Sequence, residues 1–274
     1  MTLVITVDVE TWIPPSPTIK SPSPINWEND VICPLQEMID ILNSYGQKMV
    51  IFLETVEMGW LEENNPDVYN KICDILHKTS NEVGLHTHPE WSVIDFISPD
   101  NIVLGPIHHE CYSNFEQMLK NGSDLIRTIT SKRPISYRSG GYRITSRRTR
   151  DWSRMYYNLV QLGIEVDSSV SPELVRASEY VDFRGFPAEP YYPSIQDMRV
   201  EGTQRKIIEF PISYNHNHRF DLHARGVDDF LSNNISVCVA HTKGRQFKFI
   251  EEVLSKVKTT TFREILCDYD GVDK

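Results

Sequence analysis

The sequence predicts an α/β fold built around a parallel β-sheet. Two observations support this prediction. Short apolar runs rich in β-branched residues alternate with longer stretches of helical periodicity, which is typical of successive βα units. Ionisable residues follow most of these runs, and the carboxyl edge of a parallel sheet is where βα loops deliver functional side chains. We therefore expect one sheet with a functional site at its carboxyl edge.

The local pattern of the chain predicts each element of this fold. Seven apolar runs predict strands, over residues 3–7, 48–53, 82–85, 134–137, 163–166, 206–211 and 235–240. Five stretches with apolar residues at helical spacing predict helices, over residues 34–45, 66–78, 114–130, 145–162 and 246–258. Residues 14–24 are rich in proline and predict a surface loop, and residues 172–204 predict a loop-rich cover over one end of the sheet. No repeat or shift in composition marks a domain boundary, so residues 1–274 are expected to form a single domain.

The composition narrows the classes of function. The 274 residues include 28 Lys and Arg against 38 Asp and Glu, a formal charge of −10, which argues against nucleic acid as a partner because such binders need a basic surface. No apolar run approaches the roughly 20 residues of a membrane-spanning helix, and no signal-peptide pattern is present, so a cytoplasmic location is expected. Five scattered cysteines without a Cys-x-x-Cys pair predict neither a disulfide framework nor a zinc ribbon.

Two short patterns at the predicted strand ends favour a divalent metal site. Asp8 and Glu10 are two residues apart, so an extended chain carries both carboxylates on one side, where they repel unless a cation or proton separates them. His86 and His88 repeat the spacing with two imidazoles. A carboxylate with two histidines leaves a position open for water, which is typical of a catalytic rather than a structural metal site. Four further ionisable residues lie at strand ends, namely Glu54, Arg138, Asp167 and His241.

These residues lie in motifs that resemble the polysaccharide deacetylases with the NodB-homology fold. The motifs occur in the order of that family and span nearly the whole chain: TVDVE, EVGLHTHPEW, YRSGGYR, GIEVDSSVSP, IIEFPIS and VCVAH. Within the family, the chain looks most like the branch that acts on cell-envelope polysaccharides. The resemblance implies a distorted (β/α) barrel with parallel strands.

The resemblance also implies a role for each matching residue. Asp8 would be the general base, paired with Arg138, and His241 would be the general acid, oriented by Asp167. Glu10, His86 and His88 would hold the metal. A backbone N–H near Gly141 would help to stabilise the oxyanion. The substrate would contact Gly141, Tyr142, Arg143 and Trp91.

The implied activity is hydrolysis of an N-acetyl, or another acyl, group on a sugar of surface-polysaccharide or cell-envelope biosynthesis. The cofactor would be a divalent metal, with Zn expected first and Co, Mn or Ni as alternatives.

Residues 132–154 carry a local charge of +7, so Arg143 is a candidate for binding an anionic group of a nucleotide-linked, lipid-linked or uronate-bearing sugar. The oligomeric state is left open.

Two departures from the family pattern leave the assignment of the metal ligands open. Val9 separates the first two carboxylates, where the family has adjacent aspartates, so Asp8 could itself be the ligand. The two histidines are two residues apart rather than four. If only one of them reaches the cation, another residue would complete the shell, with Glu54, Glu90, His108 and His109 as candidates. A relative that binds carbohydrate without hydrolysing it is the alternative function, whereas a Rossmann enzyme is disfavoured because no Gly-x-Gly-x-x-Gly is present.

Overall fold

A single sheet of parallel strands organises the molecule. The computed structural model of the chain describes residues 2–10, 26–88, 95–98, 101–103, 115–142, 149–172, 174–176, 181–213, 234–242 and 248–270. Its strands are β1 Thr2–Val9, β2 Val50–Glu54, β3 Glu82–Thr87, β4 Asp95–Ser98, β5 Asn101–Val103, β6 Ser136–Ser139, β7 Val166–Asp167, β8 Val175–Arg176, β9 Val181–Asp182, β10 Ile208–Glu209 and β11 Ile235–His241. Seven of them form the main sheet in the order β10-β7-β6-β3-β2-β1-β11, with every pair parallel. All seven predicted strands are therefore confirmed.

The sheet curls into a distorted barrel. Six of its strands follow one another in chain order around the curl, from β1 through β2, β3, β6 and β7 to β10, and the last strand of the chain, β11, pairs with β1. The chain just beyond β10 reaches β11, because the Ser213 N–H donates to the Val237 carbonyl oxygen and the Val237 N–H donates to Ser213 Oγ, each at 3.0 Å. The expected α/β fold with a distorted barrel of parallel strands is confirmed.

Seven helices are described around the sheet: α1 Cys33–Ser44, α2 Thr55–Asn64, α3 Pro66–Lys78, α4 Phe115–Thr130, α5 Thr149–Gln161, α6 Lys248–Lys256 and α7 Phe262–Asp270. A π-helical turn, Glu28–Ile32, leads into α1. Five of these helices correspond to the five predicted ones, while α2 and α7 were not predicted. None of the helices described is long and apolar enough to cross a lipid bilayer.

Alternation along the strands separates two apolar layers. In β1, Leu3, Ile5 and Val7 pack in the large cluster beneath the helices, whereas Val4 packs in a second, smaller cluster. This smaller cluster draws on strands across the sheet and on Phe262 of α7, whose ring centre lies 5.0 Å from that of Phe210. Residues of one parity along β1 therefore face the barrel interior. The apolar cluster fills the lower part of that interior, and the functional residues lie above it.

Candidate active site

The barrel interior changes from apolar to polar towards the carboxyl ends of the strands. Along β1 the interior positions run from Val4 through Thr6 to Asp8, and Glu10 follows in the same series. The parallel register places Asp8 opposite His241 of β11. On the other side of β1, β3 contributes His86, which pairs in register with Glu54 of β2 and with Arg138 of β6. Five strands thus deliver these side chains to one edge of the sheet.

One carboxylate oxygen and two imidazoles form the candidate metal site. Glu10 Oε2 lies 3.1 Å from His86 Nε2 and 2.6 Å from His88 Nε2. All three side chains are at most 4% exposed. Among the described residues, these are the three whose His, Cys, Asp or Glu ligand atoms lie close enough together to hold one ion. Both histidines therefore reach the same carboxylate despite their close spacing in the sequence.

The hydrogen bonds of His86 suit it to ligation. Its Nδ1 lies 3.0 Å from the Arg138 carbonyl oxygen, which can only accept a hydrogen bond, so Nδ1 carries the proton. Nε2 is then the ring nitrogen that would bind a metal, and it faces the Glu10 carboxylate. A metal-binding histidine ordinarily donates its other ring N–H in this way. Two imidazole nitrogens and a carboxylate oxygen fit a divalent metal of the zinc type with a coordination position left for solvent.

A buried ion pair lies beside the candidate metal site. Arg138 Nη1 donates to Asp8 Oδ1 at 2.8 Å and to Thr6 Oγ1 at 2.7 Å. Its Nε and Nη2 donate to the carbonyl oxygen and Oγ of Ser168, and its guanidinium lies 4.3 Å from the centre of the Phe52 ring. Burial opposes the ionisation of Asp8, but the charges of Arg138 and the nearby imidazoles outweigh it, so the pKa of Asp8 lies below its ordinary value. Asp8 is held as a carboxylate by Arg138, and Glu10 supplies the carboxylate of the candidate metal site.

His241 faces the same carboxylates from β11. Its Nε2 lies 3.6 Å from Asp8 Oδ2 and 3.6 Å from Glu10 Oε1, and the side chain is 8% exposed. The imidazole therefore lies across Asp8 from Arg138. A proton carrier at this position is close both to the candidate base and to the carboxylate of the candidate metal site.

Glu54 has a structural role that the sequence did not reveal. Its Oε2 accepts hydrogen bonds from the N–H groups of Val56 and Glu57 at 2.7 and 2.8 Å, which caps the N-terminus of α2. Its Oε1 accepts a bond from the His88 backbone N–H at 3.3 Å. Burial and the nearby Glu57 carboxylate raise the pKa of Glu54 well above its ordinary value. Glu54 therefore supports the candidate metal site without belonging to its ligand group.

Three further residues, Glu90, His108 and His109, were candidates to complete the metal shell if only one histidine reached the cation. All three lie outside the described residues. Since both His86 and His88 reach Glu10, the site assembles three ligands without them.

Comparison with known proteins adds a fold assignment to this geometry. No family model matches the sequence, and no curated protein matches it. A structure of a Mycobacterium smegmatis protein named as a polysaccharide deacetylase covers 96% of this chain and 88% of its own, with a TM-score of 0.53 at 12% identity. The chain shares the fold of this structure.

The same fold occurs in structures of proteins with other activities. A 4-alpha-glucanotransferase from Thermococcus litoralis matches 97% of this chain with a TM-score of 0.57 at 13% identity, although the match spans only 38% of that enzyme. Puue allantoinase matches 96% of this chain and 88% of its own, with a TM-score of 0.51 at 10% identity. These likenesses establish the fold, so the activity has to be argued from the site.

Asp167 does not have the contacts expected of it. Val166 belongs to the interior apolar cluster, and Ser168 contacts Arg138, so the residue between them points to the opposite side of the sheet. Asp167 Oδ1 accepts a hydrogen bond from Ser169 Oγ at 2.5 Å, and its neighbour across the β7–β10 pair is Glu209. These partners replace the expected one, His241, so the prediction that Asp167 orients the acid is corrected.

The residues predicted to contact substrate are described only in part. Gly141, just after β6, has φ of 60° and ψ of 16°, a left-handed conformation that glycine adopts at little cost. The backbone of Tyr142 completes the same turn. Arg143 and Trp91 lie outside the described residues, so their roles stay predictions.

Proposed function

We propose that the protein is a divalent-metal-dependent hydrolase that removes an acyl group, an N-acetyl group first, from a carbohydrate. The observation that carries the proposal is the shared environment of Glu10, Asp8 and His241. A group suited to a metal lies within one buried cluster with an ionised carboxylate and a further imidazole. Removal of an acyl group needs an electrophile, a base and an acid, and this cluster supplies candidates for all three.

Each side chain has a chemically distinct part in this proposal. Glu10, His86 and His88 would hold the divalent metal, which when bound would polarise the acyl carbonyl and lower the pKa of water. Asp8 accepts a proton from the attacking water, since Arg138 keeps it ionised.

The leaving amine nitrogen needs a proton as its bond to the acyl carbon breaks. His241 lies on the far side of Asp8 from Arg138 and donates that proton. The backbone at Gly141 stabilises the negative charge on the former carbonyl oxygen, in the manner of an oxyanion hole.

The sequence supports a more specific proposal for the class of sugar and for its charge. The resemblance to deacetylases of envelope polysaccharides favours a sugar of surface-polysaccharide biosynthesis. The basic segment 132–154 favours an anionic form, in which a phosphate or carboxylate binds Arg143. The motifs run from Asp8 to His241, so we propose that residues 1–274 act as a single domain.

Metal content and acyl release, measured together, test the proposed function. The protein is stripped with a chelator, reloaded with Zn, Co, Mn or Ni, and assayed for bound metal and for acetate released from N-acetylated oligosaccharides. One equivalent of bound metal and metal-dependent acetate release are expected. The variant His77→Ala is the matched control, since His77 lies on α3 with its Nδ1 against the Ile129 carbonyl oxygen. Oligosaccharide binding without acetate release under any metal would favour the carbohydrate-binding function and overturn the proposal.

A further inference from the structure

The His88 ring packs directly against the backbone of Gly140. A Cβ atom built on Gly140 would overlap the Cγ, Cδ2 and Nε2 atoms of the ring. Gly140 does not have the left-handed backbone conformation of its neighbour Gly141. The three nearest atoms that an alanine Cβ at position 140 would meet therefore all belong to the imidazole.

Sheet register explains why these two residues meet. The last pair between β3 and β6 joins Thr87 to Ser139, so the chain just beyond it brings His88 and Gly140 side by side. His88 has to lean over this point for its Nε2 to reach Glu10 Oε2 at 2.6 Å. Its ring stands nearly perpendicular to that of His86, at 84°, with the ring centres 5.1 Å apart.

The backbone of His88 is held from the other side by Glu54. One oxygen of this fully buried carboxylate caps α2, and the other accepts the His88 N–H at 3.3 Å. The same side chain thus links the start of a helix to the residue at which β3 ends. His88 is fixed at its backbone by Glu54 and at its ring by the space above Gly140.

We propose that Gly140 and Glu54 are positioning residues that allow a His-x-His pair to bind a divalent metal together with Glu10. The proposal rests on the metal site of the proposed function but not on the hydrolysis. In this proposal Gly140 allows His88 to act as a ligand, because any side chain at position 140 would displace the imidazole.

The variant Gly140→Ala tests the ring contact through metal affinity. The dissociation constant for Zn, measured by competition with a chromophoric chelator, is expected to rise about 10- to 100-fold, the usual effect of disturbing the support of a ligand. Gly59→Ala is the matched control because a Cβ at Gly59 would meet nothing within 4 Å, and its affinity should equal that of the wild type. Equal affinity in Gly140→Ala and wild type would overturn the proposal.

A double-mutant cycle shows whether the effect passes through His88. His88→Ala alone is expected to weaken Zn binding, and adding Gly140→Ala to it should weaken binding no further. A second loss of the same size in the His88→Ala background would mean that Gly140 acts on the fold in general, which would contradict the proposal. If Gly140→Ala does not fold, Glu54→Gln replaces it in the double-mutant cycle with His88→Ala. This substitution keeps the size of the side chain but places an amide NH₂ group against backbone N–H donors.

The metal-free protein gives a readout independent of binding. Ring nitrogen signals of histidine, observed by NMR, should shift for His88 in Gly140→Ala and stay unchanged for His77. Unchanged His88 signals would overturn the inference. A wild-type protein that binds Zn at this site but releases no acetate would contradict the proposed hydrolysis and leave this inference intact.

Discussion

Arg138 contacts both His86 and Asp8: its carbonyl oxygen lies 3.0 Å from His86 Nδ1, and its guanidinium Nη1 lies 2.8 Å from Asp8 Oδ1. One residue therefore supports a candidate metal ligand through its backbone and the candidate base through its side chain. Replacing the side chain should disturb the base and leave the ligand in place. This division makes Arg138 a useful position for separating the two halves of the site.

The variant Arg138→Met is expected to unfold more easily but to retain the metal. Removing the guanidinium leaves the buried Asp8 carboxylate without its partner, which should lower the free energy of unfolding by about 3–5 kcal/mol. The hydrogen bond from His86 to the backbone remains. Urea unfolding of the metal-free protein and Zn titration measure the two effects. Arg184→Met, which breaks an exposed ion pair with Asp182, should cost about 1 kcal/mol or less. Equal costs in both variants would contradict the account of the buried pair.

Substitution of two histidines should separate metal binding from turnover. His86→Ala removes a ligand and is expected to lose the metal, whereas His241→Ala should keep the metal and lose about 10²- to 10⁴-fold in the rate of acyl release. Metal analysis and acetate release are measured on the same samples. Loss of metal from both variants would show that His241 is a ligand and would refute the proposed roles.

A buried carboxyl pair predicts a dependence of stability on pH. Asp167 and Glu209 are fully buried neighbours across β7 and β10, and burial raises the pKa of Asp167 to about 7 and that of Glu209 well above its ordinary value. An unfolded chain releases these protons near pH 4. Between about pH 4 and 7 the folded state therefore holds more protons than the unfolded state, and the free energy of unfolding from this pair falls as the pH rises.

The variant Glu209→Gln should weaken this pH dependence. A glutamine amide can donate to Asp167, so the pair no longer needs a proton to avoid repulsion. As the pH rises from 4 to 7, the free energy of unfolding should therefore fall less in the variant than in the wild type, by about 1 kcal/mol or more. Urea unfolding across that pH range measures this difference. Glu189→Gln, at an exposed position, provides the control and should follow the wild-type curve. Parallel curves for Glu209→Gln and wild type would show that this carboxyl pair is not the source of the pH dependence.

The basic segment predicts a preference for anionic substrates. Arg143→Ala should raise the KM for a phosphate- or carboxylate-bearing sugar far more than the KM for its neutral analogue, because the guanidinium binds the anion. Steady-state kinetics on the paired substrates measure this ratio. Equal changes in both KM values would remove Arg143 from substrate recognition.

The sequence was sufficient for the parallel sheet because its strands have distinct apolar runs. It was not sufficient for α2, whose buried residues include Thr55 and Glu57 as well as Met58, so no apolar stripe marks the helix. A signal for α7 was present, since Thr261 and Glu264 form a reciprocal capping box at its start.

The sequence likewise predicts some residues of the candidate site correctly and misplaces or misses others. Asp8 and Glu10 could be placed together from their spacing, since strand alternation brings them to one face. The same alternation turns Asp167 away from that face, and only the register of a two-residue strand reveals it. The support of His88 by Gly140 depends on a contact between the ends of β3 and β6, which are far apart in the sequence.

Anomalous diffraction from a crystal grown with Zn tests the central claim most directly. Data collected at the zinc edge should give one strong peak, about 2.0–2.2 Å from Glu10 Oε2, His86 Nε2 and His88 Nε2. A peak bound by these three residues would support the metal centre on which the proposed hydrolysis depends. An absent peak, or a peak held by other residues, would contradict it.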